Sequence, residues 1–140
     1  MDIKLYPVTL SILLKPVGSP SCKISVADQS CELIVDKDSW ITFDLLGIGH
    51  QSLSIEHHNK KDDDPTTALI VDQIKFNEIV GEKVIYQGVY YPRYPQHLIG
   101  NSPTLPHQNY LSWNGIWQLD FTLPIYTWLH QVENLGWIYE

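Results

Sequence analysis

Polar and apolar residues alternate through most of this chain. In Cys22-Lys-Ile-Ser-Val26, Trp40-Ile-Thr-Phe-Asp-Leu45, Ser52-Leu-Ser-Ile-Glu-His57 and Gly115-Ile-Trp-Gln-Leu-Asp-Phe121 every second residue is apolar or aromatic-sized. A period of two marks a strand with one buried face. No run spaced i, i+3, i+4, i+7 predicts a helix longer than a turn or two, the best candidate being a single turn near Tyr126–Gln131. The pattern predicts strands over Lys4–Lys15 (kinked at Pro7), Cys22–Val26, Cys31–Val35, Trp40–Leu45, Ser52–His58, Ala68–Phe76, Lys83–Tyr86 and Gly115–Leu123, with an extended piece at Gly136–Tyr139. Turn-forming residues separate them at Gly18-Ser19-Pro20, Asp36-Lys37-Asp38, Gly47-Ile48-Gly49, Asp62-Asp63-Asp64-Pro65 and Gly81. Short strands without intervening helices imply an all-β fold: two antiparallel sheets packed as a jelly-roll-like β-sandwich.

Length and composition fit one domain over residues 1–140, because a chain of 140 residues with 44% apolar content can bury roughly 68–70% of its unfolded surface. A net charge of −7, with no basic run, opposes contact with phosphate backbones and excludes nucleic acid as the expected partner. No stretch is apolar enough for membrane insertion, and Met1–Pro16 has neither the basic start nor the cleavage site of a secretion signal. The expected setting is a soluble, cytoplasmic one.

Cys22 and Cys31 flank a turn near Asp28 and Gln29. A register pairing Val26 with Cys31 and Cys22 with Val35 separates the sulfurs by ~13 Å, too far for a disulfide. Both thiols are therefore expected reduced and facing inward.

Gly88–Tyr110 breaks the regularity, since Pro92, Pro95, Pro103 and Pro106 oppose ladder pairing. Within this long loop Tyr90, Tyr91, Arg93, Tyr94, Gln96 and Asn101 offer flat aromatic bodies with polar tips, the chemistry of a glycan site. The same rings would also seal an open sandwich end, or meet a protein partner. Asp62, Asp63 and Asp64 are oxygen donors of the kind calcium takes, in a turn that reads equally as a solvated charged loop. Asp72 falls on the face of Ile70, Ile74 and Phe76, where a carboxylate needs a partner or a metal. Glu56 and Asp72 are the one pair of strand acids that a glycosidase reading would use. His57 and His58 point to opposite faces and cannot chelate one ion together. No nucleophile elbow or phosphate-binding loop is present, so catalysis is not expected.

Eight aromatic residues lie between Tyr110 and Tyr139. Leu111, Trp113, Trp117, Leu119 and Phe121 share one face and read as core, with the indole N–H groups finding backbone acceptors. The apolar tail, with Tyr126, Trp128, Trp137 and Tyr139, reads as folding back on the sandwich or as an interface.

Leu69-Ile-Val-Asp-Gln-Ile-Lys-Phe-Asn77, Gly88-Val-Tyr-Tyr-Pro92 and Tyr110-Leu-Ser-Trp-Asn-Gly-Ile-Trp-Gln-Leu-Asp-Phe121 carry two resemblances. The chain resembles the β-jelly-roll of calcium-dependent carbohydrate-binding modules, which implies glycan binding and a calcium role for Asp72 with Asp62–Asp64. It also resembles small uncharacterised proteins of marine tailed phages, especially those of cyanobacteria, which implies a virion head or tail component with protein partners. The leading expectation is a non-catalytic recognition or assembly protein of a phage particle, forming a homo-oligomer or docking on other virion proteins. The alternative is a free carbohydrate-binding module.

Overall fold

The computed structural model describes residues 4–61, 64, 66–94 and 104–133. The strands are β1 (Tyr6–Val17), β2 (Ser21–Val26), β3 (Gln29–Ile34), β4 (Ser39–Gly47), β5 (Gly49–His58), β6 (Ala68–Phe76), β7 (Ile79–Val80), β8 (Val89–Pro92), β9 (Leu105–Pro106), β10 (Tyr110–Leu111) and β11 (Gly115–Leu123). A 3-10 turn spans Val84–Gln87, and a helix, α1, spans Ile125–Glu133. One sheet has the order β10-β6-β1-β4 with β7 beside β6, and the other the order β3-β2-β5-β11-β8-β9. The pairings are antiparallel, giving the two-sheet sandwich that the alternation predicts.

The alternation also fills the core. Leu10, Ile12 and Leu14 of β1 and Leu69, Val71, Ile74 and Phe76 of β6 face Ile24, Leu53, Ile55, Trp117, Leu119 and Phe121 of the opposite sheet, all essentially out of water. Burial on this scale, at about 25 cal/mol per Å² of apolar surface, is the main stabilising contribution. Gly88 lets the chain pass over the Trp117 ring, since a Cβ there would lie 2.1 Å from the indole. The Trp117 indole N–H finds no acceptor among the described residues, contrary to the sequence expectation.

Several expectations are corrected. Ala27 adopts φ 53° and permits a tighter turn, so Val26 pairs with Gln29 and Cys22 with Leu33. The cysteines then stand roughly 7–8 Å apart diagonally, not ~13 Å; both remain free, Cys22 buried and Cys31 half-buried. Lys83–Tyr86 is no strand but largely the 3-10 turn. The Pro-rich loop is partly ordered as β8 and β9, which pair with each other while β8 also pairs with β11. α1 runs well beyond one turn, packing Ile125, Trp128, Leu129 and Val132 on the core. The extended piece at Gly136–Tyr139 lies outside the described residues.

Asp72 does not share the buried face. Leu13 pairs with Gln73 and Leu14 with Val71, so Asp72 is the extra residue of a β-bulge. The bulge lets Leu69 and Val71, then Ile74 and Phe76, all face inward. It turns Asp72 outward, 3.7 Å from the Lys15 ammonium.

The buried titratable groups set the pH range of stability. Burial, reinforced by Cys31, pushes the Cys22 thiol from 9.0 up to about 12, while burial lowers His57 below its ordinary 6.5. Below that value the unfolded chain takes up a proton that folded His57 refuses; above pH 9 the unfolded chain releases one that folded Cys22 keeps. Stability is therefore expected to fall on either side, by about 1.4 kcal/mol per pH unit for each mismatched proton. Urea midpoints across that range check it, and a midpoint that holds constant as the pH climbs from 9 to 11 would contradict the burial of Cys22.

Candidate functional site

At one end of the sandwich the connections between β1 and β2, β5 and β6, and β10 and β11 come together. Two adjoining hollows lie there and share Lys60, Asp64 and Thr67. The larger, about 520 Å³, is lined by Val17, Thr66, Ala68, Tyr110, Ser112 and Trp113 as well. The smaller, about 310 Å³, reaches Ser19, Ser21, His57 and His58.

Trp113 is the aromatic plate of this cleft. The fully buried Tyr90 hydroxyl donates to the Trp113 carbonyl and accepts the Trp113 N–H at 2.9 Å, so the backbone, not the ring, is what Tyr90 holds. Tyr94 meets the ring edge-on at 6.2 Å, and the Lys60 ammonium stands 5.2 Å from its centroid. Asn114 binds the Lys60 backbone in both directions, at 2.9 and 2.7 Å, and accepts the Arg93 N–H through its carbonyl at 2.6 Å. Gly115 allows the close approach of β8, because a Cβ there would lie 2.4 Å from the Tyr91 carbonyl oxygen. Tyr110, 42% exposed, forms the opposite lip on β10.

Asp64 stands at the rim that the two hollows share. Its carboxylate accepts the Thr66 N–H and hydroxyl at 2.8 Å each and the Thr67 hydroxyl at 2.5 Å, which holds its pKa well below the usual carboxylate range. The buried His57 lines the smaller hollow, its Nδ1 3.0 Å from the Leu111 carbonyl and the Trp113 backbone also acting on the ring.

The residues that sequence grouped into one platform are separated. Because β8 is a strand, its side chains alternate: Tyr90 points into the core and cannot touch a ligand, whereas Tyr91, 44% exposed, points out of the other side. There Tyr91 pairs in register with Ile116, itself beside Glu56, and Arg93 binds Glu56 at 3.1 Å. Tyr94 belongs to the end cleft through Trp113. Gln96 and Asn101 lie outside the described residues, as do Asp62 and Asp63. Asp64 and Asp72 are not brought together: Asp72 lies five residues beyond Thr67 along β6, about 17 Å at 3.4 Å per residue.

Glu56 and Asp72 stand on the outer faces of opposite sheets, so they cannot straddle one glycosidic bond. Of the C-terminal aromatics, Trp128 is partly buried and packs on Phe76 at 5.8 Å and Phe121 at 6.2 Å. Tyr126 is exposed and accepts a hydrogen bond from Asn77; Trp137 and Tyr139 lie outside the described residues. Sequence reasoning missed Lys60 and Tyr110 as site residues; it read Trp113 as core, and the ring is indeed partly buried against the core, with its remaining surface lining the cleft. The signal for Trp113 was Asn114-Gly115, a turn dipeptide that interrupts the alternation just after it.

No protein-family model matches the chain, and no curated protein does. Two solved structures are similar in fold. The selenomethionine form of vCBM60, described with a circular permutation linking two families of calcium-dependent carbohydrate-binding modules, superposes with a TM-score of 0.57 at 16% identity, covering 80% of this chain and 89% of that one. vCBM60 in complex with galactobiose gives 0.51 at 16% identity, covering 79% and 96%. The likeness to phage proteins finds no support in these comparisons.

Proposed function

We propose that this chain is a non-catalytic carbohydrate-binding module and that the end cleft around Trp113 is its binding site. The observation that carries the reading is the Trp113 plate, fixed by its backbone on Tyr90 and flanked by Tyr110, in a cleft of about 520 Å³. A pyranose offers an apolar C–H face to such a ring and hydroxyls to its surroundings. Ser112, Thr66 and the Asp64 carboxylate supply the polar rim. The fold shared with vCBM60, which binds galactobiose, supports the same class of ligand.

The outer face around Tyr91 is a second aromatic surface, where Arg93 pairs with Glu56 at 3.1 Å. Assembly into a virion has less in its favour, because Trp128 is engaged within the chain. A printed array of neutral and acidic glycans tests the reading: the chain is expected to retain a defined subset, and to retain it equally with Tyr91→Ala. Uniformly blank arrays would defeat the proposal, and loss with Tyr91→Ala would move the site to the sheet face.

A further inference from the structure

We infer that the Lys60 ammonium is a built-in cation at the head of the sandwich, taking the position in which a metal ion would tie the loops together, so that this cleft works without divalent metal. Lys60 follows Asn59, whose φ of 63° turns the chain out of β5 and across the sandwich end. Its Nζ donates to the Thr67 carbonyl at 2.6 Å and the Ser112 carbonyl at 2.5 Å, two oxygens from different connections. The Asp64 carboxylate contributes to the field at the ammonium, and the Trp113 ring faces it at 5.2 Å. Carbonyls converging from separate loops, with a carboxylate close by, form the oxygen environment that a hard cation takes. Here the charge at its centre is covalently part of the chain.

Of the acids expected to hold calcium, the two that are described, Asp64 and Asp72, do not fit that ion. Calcium takes six to eight oxygens at about 2.3–2.6 Å. Asp64 is already committed on both carboxylate oxygens to Thr66 and Thr67, and Asp72 is turned away on its bulge beside Lys15. Among the described residues no group of three or more His, Cys, Asp or Glu side chains converges on a metal position. The two carbonyls best placed for a cation carry the lysine. This departs from the calcium-dependent modules with which the similar structure is described. Lys60 is thus a positioning residue: it braces the connections on either side of Trp113 and gives the ring a fixed place.

Only the metal independence of ligand binding rests on the cleft being the glycan site; the cation role of Lys60 does not, and it is read without any glycan. The full chain, including Asp62 and Asp63, is stripped with chelator and melted with and without millimolar calcium, following tryptophan emission. The wild-type midpoint is expected to move by less than about 1 °C, since an ion with no site gives no linkage stabilisation. Lys60→Ala is expected to melt several degrees lower and to recover part of that loss when calcium is added, because the two carbonyls are then open to a cation. Lys60→Arg, which keeps the charge, is expected to melt closer to wild type than Lys60→Met, which keeps only the stem. A wild-type midpoint that rises several degrees with calcium overturns the inference, and so does Lys60→Met matching or exceeding Lys60→Arg. Lys60→Ala melting like wild type, or melting low and indifferent to calcium, overturns it as well. If Lys60→Ala does not fold, the wild-type titration and the Arg–Met comparison decide.

Discussion

Replacing Trp117 by Ala is expected to cost about 3–5 kcal/mol, the range for deleting a fully buried large aromatic side chain. That is a large part of the 5–15 kcal/mol that holds a typical small domain together. The ring is fully buried on the central strand β11, between β5 and β8, and Gly88 lies directly against it. With both sheets pinned by other core residues, the space left by the indole cannot close completely, and a cavity penalty adds to the lost transfer energy. Trp117→Phe is expected to cost less than half as much. It retains most of the ring and removes an N–H that has no acceptor among the described residues, a group that is costly to bury. Urea unfolding with an unchanged m-value measures both. A Trp117→Ala cost below about 1 kcal/mol would mean that the ring is not the centre of the core described here.

Trp113→Ala is expected to divide its effect differently: a smaller cost to folding than Trp117→Ala, because the ring is only partly buried against the core, and a loss of glycan affinity of roughly 30-fold or more, the size of a binding hot spot. Tyr90 holds Trp113 through its N–H and carbonyl, and Asn114 is tied to Lys60, so the loop keeps its anchors when the ring is removed. What disappears is the plate, together with its contacts to Tyr94 and the Lys60 ammonium. Calorimetric titration beside a urea melt separates the two effects. Unchanged affinity would remove the cleft from consideration, and a collapse in stability would make Trp113 a core residue.

Alternation was enough to read the sandwich, because half-buried strands write their pattern directly into sequence. It failed where a few residues depart from regular geometry. The turn at Ala27-Asp28 has no glycine to announce its positive φ, so the register of β3 was misjudged by two residues. Val84-Ile85-Tyr86 is too short an apolar run to distinguish strand from 3-10 turn. Ile125, Trp128, Leu129 and Val132 do follow helical spacing, but over barely more than two turns at the end of a β-rich chain. The Asp72 bulge was foreshadowed by the anomaly of a carboxylate among apolar neighbours. The site was less legible. Tyr90, Tyr91 and Tyr94 look equivalent in sequence and are sent to the core, a sheet face and the end cleft by the path of β8. Lys60 left no trace at all, since its partners are backbone carbonyls and any residue provides those.

The most direct test of the end cleft as a glycan site is amide chemical-shift mapping of the labelled chain. The probe is galactobiose, or the soluble oligosaccharide that the array retains best. Saturable shifts are expected around Lys60, Thr66, Thr67, Tyr110, Ser112 and Trp113. Shifts gathered instead about Tyr91, Ile116 and Gln118, or no saturable shift with any oligosaccharide, would contradict it.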